Sequence, residues 1–304
     1  MQRREFLQGA GAAALSLGLS AFPSGWVQAT GAPKRRILFF TRSQGFEHPA
    51  IQRKGDKLGL AEQTLMDLGA KHDFEVLCTK DGAVFTPENI AKYDAFFFYT
   101  TGDLTKPSKD GTNPMTPEGK AAMLDAIKNG KGFLGTHSAT DTFHPDPDDR
   151  YVNFGDKVDP YIAMLGGEFI HHDSQQDSKM TVIDTKFPGF EGLKDFTLKE
   201  EWYSLKDFRK DLHVLLVQET AGMTGPHYQR PPFPATWARR HGKGRVFYTS
   251  MGHRDDVWTN PMFQQILLGG ISWAVGNVRA DVTPNLEKVA PHAWELPAKP
   301  TPKA

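Results

Sequence analysis

The stretch "KGFLGTHSATDTF" (Lys131–Phe143) puts one imidazole where α/β enzymes do chemistry. An apolar run over Gly132–Leu134 stops at Gly135, and small residues flank His137 on both sides. A strand entering a sharp turn around one reactive residue is a nucleophile elbow, which elsewhere carries Ser or Cys. A histidine in that position is suited instead to accepting a proton or ligating a metal. Backbone N–H groups at such a turn favour negative charge and disfavour imidazolium, which predicts a neutral His137. Asp141, four residues on, is placed to face the same pocket, where it would orient a histidine or bind a hydroxyl. An acid in a first helical turn would look the same.

Further titratable groups lie at other loops and strand ends. "GGEFIHHD" (Gly166–Asp173) carries His171 and His172. Neighbours in extended chain point to opposite sides, so one of the two is expected to face a site. "KEEWY" (Lys199–Tyr203) supplies Glu200 and Glu201, again with one expected inward. "SMGHRDDVW" brings His253 to a strand end, and His48 lies in an early loop. Convergence of several such histidines would serve acid–base work or a metal. Trp202, Tyr203 and Trp237 either stack on a sugar ring or fill the core. No H-E-x-x-H, P-loop, C-x-x-C or haem-attachment motif is present, so a metal site would use His and carboxylate alone.

The elements that must position these groups alternate. "RRILFFT", "FEVLCT", "AFFFYT" and the run into His137 read as buried strands. Helices are predicted over Asp56–Leu68, ending at Gly69, and after the Thr86-Pro87 and Thr116-Pro117 caps. The fold class is therefore α/β, a doubly wound, mostly parallel sheet of flavodoxin-like type. Ligands bind at the carboxyl ends of such strands. This puts His48, Asp103 and His137 on one face. Later, "SKMTVID" and "LHVLLVQE" read as strands. "ATWARRHGKGRVFYTSMGH" reads as a hairpin about His241–Gly244, and Asn260-Pro261 opens a last helix.

The 304 residues carry 36 Lys+Arg against 36 Asp+Glu, without a basic run, so nucleic acid is not an expected partner. "QRREFLQ" followed by a weakly apolar Ala/Gly/Leu stretch and Val27-Gln28-Ala29 reads as a twin-arginine leader over residues 1–29. It implies recognition by the twin-arginine export machinery and a periplasmic or secreted protein. The apolar stretch is too short for a membrane span, so no stable membrane anchor is expected. "GAGAAA" (Gly9–Ala14) mimics a dinucleotide fingerprint but follows no strand, and no nucleotide cofactor is expected. Cys78 is the only cysteine, so no intramolecular disulfide can form, and it reads as a small buried hydrophobe. After Ala280 the chain turns Pro-rich, and residues 281–304 either wrap the surface or stay disordered.

Together "GTHSATDTF", "GGEFIHHD", "FPGFEGL", "KEEWY" and "PATWARRHGKGRVFYTSMGHRDDVW" resemble the ThuA-like (trehalose utilisation) family over residues 35–277. The resemblance implies a class I glutamine amidotransferase-like fold and carbohydrate substrates, especially disaccharides processed through 3-keto intermediates. His137 stands where the amidotransferase Cys would be and His253 where its late His would be, but Asp255 replaces the Glu two residues on. Without a thiolate there is no acyl-enzyme, so amidotransferase chemistry is not implied.

Three readings follow. In the first, His137 abstracts a proton beside a sugar carbonyl and His253 or Glu201 returns it, with Asp141 assisting. His48, Asp103, Trp202, Tyr203 and Trp237 then bind the sugar. In the second, His137, His172 and His253 hold a divalent metal for hydrolysis or elimination. In the third, the aromatic residues make a non-catalytic sugar-binding module.

Overall fold

A computed structural model describes residues 34–144 and 149–300. The leader read over residues 1–29 lies outside them, as do the last residues of the tail, 301–304. Among the described residues no helix is long and apolar enough to cross a membrane.

The first half alternates as its sequence predicts. β1 (Arg35–Phe40), α1 (Leu60–Lys71), β2 (Phe74–Thr79), α2 (Pro87–Ala91), β3 (Ala95–Phe98), α3 (Pro117–Lys128) and β4 (Gly132–Thr136) follow one another. The Thr86 and Thr116 hydroxyls accept the N–H groups of Asn89 and Gly119, with proline in the first turn of each helix. Period-two alternation divides β1, β3 and β4 between two cores. Ile37 and Phe39 pack on one side of the sheet, Leu38 and Phe40 on the other.

α1 departs from expectation. It starts after Gly59 rather than at Asp56, because the Glu62 carboxylate turns back to accept the Gly59 N–H at 3.0 Å. Gly69 lies inside the helix instead of ending it. An added Cβ there would sit 2.7 Å from the Phe74 carbonyl oxygen, so this glycine admits the chain entering β2.

The second half comprises α4 (Pro160–Leu165), β5 (Glu168–His172), β6 (Gln176–Val182), β7 (Phe196–Glu200), β8 (Tyr203–Lys206), β9 (His213–Gln218), β10 (Phe233–His241), β11 (Gly244–Thr249), α5 (Asp255–Trp258), α6 (Pro261–Ala274) and α7 (Leu286–Val289). The main sheet runs β2-β1-β3-β4-β11-β10-β9-β6-β7. From β2 to β11 every pairing is parallel; beyond β11 every pairing is antiparallel. β5 and β8 form a separate antiparallel pair. The expected hairpin is β10–β11, and Asn260 caps α6 through the Met262 N–H at 2.9 Å.

Gly269 in α6 lies under the Phe187–Phe190 turn, where an added Cβ would be 1.9 Å from the Pro188 carbonyl oxygen. Neither backbone can yield cheaply. Gly269→Ala is expected to cost about 3 kcal/mol in urea unfolding, at the upper end of overpacking penalties. A loss under ~1 kcal/mol would show that the turn moves freely.

The Pro-rich segment wraps the surface over its described part. The Asn285 side chain bonds both the N–H and the carbonyl of Val214, and Trp294 Nε1 donates to the Phe208 carbonyl at 2.9 Å. Cys78 is partly buried, and burial pushes its thiol up to about 12.

Candidate functional site

The carboxyl ends of β1, β3, β4 and β11 open on one face, and their loops lean on each other. Isolated bridges join Ser43 to Thr101 and Gly102 to Thr142. His137 follows β4 with φ 43, the left-handed backbone of a sharp elbow, and starts a 3-10 turn, His137–Asp141. The Tyr248 hydroxyl donates to the His137 carbonyl at 2.7 Å and fixes that elbow from the neighbouring strand.

The His137 ring is fully buried, and its Nδ1 lies 3.1 Å from the Ser250 carbonyl oxygen. A carbonyl only accepts, so Nδ1 carries the hydrogen and Nε2 presents a lone pair. That Nε2 faces His253 Nδ1 at 3.3 Å and Glu201 Oε2 at 3.5 Å. His253 Nδ1 is itself 3.0 Å from Glu201 Oε2. His48 packs edge-on against both imidazoles, with ring centroids 4.8 Å from His137 and 5.2 Å from His253. One ligand atom from each of His48, His137, Glu201 and His253 falls within a 4.8 Å group, and among the described residues no other such His/Cys/carboxylate cluster occurs.

Electrostatics match the packing. Burial, reinforced by His137 and His253, drives His48 well below its ordinary value. Burial alone would raise the Glu201 carboxyl. Its contacts with the His137 and His253 rings outweigh burial and hold Glu201 below the ordinary carboxylate range.

Of the supporting residues, Tyr99 and Trp258 carry no sequence signal, and Glu200 is one of the pair expected to send a single acid inward. Glu200, fully buried at the end of β7, accepts the N–H of Gly252 at 2.7 Å and of His253 at 2.8 Å through Oε1. Its Oε2 accepts the Glu201 N–H at 2.7 Å. The Gly252 carbonyl takes hydrogen bonds from the Tyr99 hydroxyl and Trp258 Nε1. Alternation predicted one inward acid of the Glu200–Glu201 pair. Both serve the site, because β7 ends at Glu200 and the alternation ends with it.

Other expected site residues stand elsewhere. His172 does not belong to the four-residue cluster. Its Nδ1 is 3.4 Å from Glu201 Oε1 and its ring stacks on Tyr203. His171 stacks on His227 and, among the described residues, makes no contact with the four-residue cluster. Asp141 pairs with His144 at 2.8 Å rather than with His137. Asp103 closes its own turn on Thr105. Trp202 and Trp237 cannot be stacking platforms. Both are fully buried, with Nε1 donating to the carbonyls of Leu198 and Leu165. Tyr203 is buried against His137, centroids 4.1 Å apart, with its hydroxyl 3.4 Å from His48 Nε2. The exposed aromatic near the site is Phe46, 65% exposed, with its ring 5.0 Å from His48. One phenylalanine in a polar loop gave no sequence signal. A polar cavity between Pro49, Gln175, His253, Arg254, Asp255 and Asp256 adjoins the cluster.

A model of the family described as "ThuA: Trehalose utilisation" matches residues 36–274. The chain belongs to the ThuA family. Two solved structures carry the same fold. A ThuA-like protein from Bacteroides uniformis is 20% identical with a TM-score of 0.60, covering 86% of this chain and 99% of its own. A ThuA-like protein from Parabacteroides merdae is 15% identical with a TM-score of 0.52, covering 82% of this chain and 92% of its own. No curated protein matches the chain. Within this ThuA chain the elbow histidine is one of four convergent side chains, and the structural relatives, below 25% identity, speak to fold alone.

Proposed function

We propose that this ThuA protein is a metal-dependent carbohydrate enzyme of the lyase or hydrolase type, acting on a sugar or 3-keto-sugar after export. The observation that carries the metal is the His137 ring, whose Nδ1 is spent on a backbone carbonyl while Nε2 converges with His48, His253 and Glu201. Metal-bound histidines have such outer partners. A three-His, one-carboxylate set suits a borderline transition metal such as zinc, manganese or iron. When bound, the ion would polarise a carbonyl or acidify a water.

The protein's own part is positioning. Glu200 fixes the loop that presents His253, and Tyr248 fixes the elbow that presents His137. Phe46 offers an exposed face beside His48, and the adjoining cavity offers charged and amide groups to hydroxyls. The carbohydrate class rests on the family's description.

A metal-free acid–base reading has its own support in the 3.0 Å His253–Glu201 contact, a histidine–carboxylate pair able to move a proton. Metal analysis separates the two. Protein purified after native export is expected to hold about one transition-metal ion. Stripped protein should regain about 2.7 kcal/mol of stability with metal at ~100 times its Kd. Metal-free protein that shows no thermal response to zinc, manganese or iron would leave the acid–base reading in place.

A further inference from the structure

Beyond the four-residue cluster, a second chain of titratable groups runs from Glu201 through His172 and His171 to His227. His227 sits in the 3-10 turn Pro226–Tyr228, buried, with its ring stacked on His171 at 4.3 Å and 8°. His172, next to His171, reaches Glu201, which ties this chain to the proposed metal centre. Asp173 faces His227 twice. Its Oδ2 accepts the His227 backbone N–H at 3.1 Å, and its Oδ1 lies 3.0 Å from His227 Nδ1. The second contact is close but off the line of a formed hydrogen bond. Gly225 makes room for it: a Cβ at that φ of 105 would lie 2.2 Å from the Asp173 carboxylate. On the other side of the ring, His227 Nε2 is 2.8 Å from the Tyr151 hydroxyl. The Tyr151 segment is held down by Lys206 Nζ, which donates to the Val152 carbonyl at 2.7 Å, and by Arg150, which donates to the Ile170 carbonyl at 3.2 Å.

A carboxylate only accepts, so a ring hydrogen on Nδ1 would suit the Asp173 side and leave Nε2, 2.8 Å from the Tyr151 hydroxyl, to receive its O–H. Carboxylate, imidazole and hydroxyl in that order is the arrangement that activates a hydroxyl in catalytic triads. We propose that Asp173, His227 and Tyr151 form a second proton-transfer site, in which Tyr151 exchanges protons with a hydroxyl or departing oxygen of the sugar bound at the metal centre. In the forward direction Tyr151 takes the substrate O–H proton as its own proton passes to His227 Nε2. Asp173 stabilises the imidazolium that forms. The reverse passage gives the proton to the oxygen that leaves with the C–O bonding pair, while the carbon left behind bonds a water oxygen in hydrolysis, or forms C=C as its neighbouring C–H proton is lost in elimination, so nothing is oxidised and water is the only co-reactant. In the resting protein burial raises the Tyr151 phenol, Arg150 lowers it and Asp173 raises it, so it starts protonated; His171 is the remaining titratable neighbour of His227.

The substrate in this proposal rests on the carbohydrate reading; the relay does not. The first test therefore needs no turnover. Side-chain ¹⁵N spectra at neutral pH, assigned with His227→Gln, should show His227 protonated on Nδ1 and bare on Nε2. The Nε2 resonance should move in Tyr151→Phe. A hydrogen on Nε2, in the neutral or the doubly protonated ring, overturns the relay. The second test compares the 3-keto derivatives of trehalose and of p-nitrophenyl glucoside, whose leaving group needs no proton. Tyr151→Phe should lower kcat on the first by ~10²–10³-fold and on the second by less than ~3-fold, with metal content unchanged. Equal losses on both would make Tyr151 a structural residue and overturn the proposal. Wild-type protein inert on both would remove the carbohydrate reading, while the tautomer still decides the relay.

Discussion

His137→Asn is expected to abolish stoichiometric metal binding and reduce turnover by ~10³-fold or more while leaving the fold intact. Asparagine is the informative replacement. It tolerates the left-handed backbone that His137 adopts at φ 43, where most side chains are strained. Its amide can still donate toward the Ser250 carbonyl, the partner that holds His137 Nδ1 at 3.1 Å. What it lacks is a nitrogen lone pair at the Nε2 position. Loss of a partner outside the ligand set costs ~10–100-fold in metal affinity, so loss of a ligand should exceed that. Metal analysis and a melting curve on the same sample make the check. A folded variant that keeps its metal and loses activity would convert His137 from ligand to base. A variant that keeps both would remove His137 from the function altogether.

The elbow was legible because its signal is local: an apolar run, small flanking residues and one reactive side chain. The parallel half of the sheet was legible for the same reason, since continuous apolar strands and Thr-Pro helix starts are short patterns. The rest of the centre depends on tertiary approach. His48 was placed on the correct face, but nothing local brings its ring within 4.8 Å of His137. Alternation rules misjudged Glu200 because they hold only inside a strand, and this strand ends there. Trp202 and Trp237 look like sugar platforms in sequence, yet each has a backbone carbonyl for its indole N–H and can be buried at little penalty. Asp141 was drawn off by His144, a residue three positions on with no signature of its own.

Glu200 carries the second large effect. Glu200→Ala is expected to destabilise the protein by roughly 4 kcal/mol or more and to disorder the His253 loop. In the folded chain its Oε1 accepts the N–H groups of Gly252 at 2.7 Å, His253 at 2.8 Å and Arg254 at 3.4 Å, and its Oε2 that of Glu201 at 2.7 Å. Each buried donor left without a partner costs about 1–3 kcal/mol. The short contacts come from Gly252, His253 and Glu201. Glu200→Gln keeps one oxygen and turns the other end into a donor, which must then face an N–H. Its loss should therefore be roughly half as large. Both should also weaken metal binding, because two of the four convergent residues, Glu201 and His253, take their backbone positions from this one side chain. Urea unfolding with an unchanged m-value reads the stability change, and a metal titration reads the second effect. If Glu200→Ala unfolds within ~1 kcal/mol of wild type, the loop holds itself. The site's geometry would then rest on the Tyr99 and Trp258 hydrogen bonds to Gly252 instead.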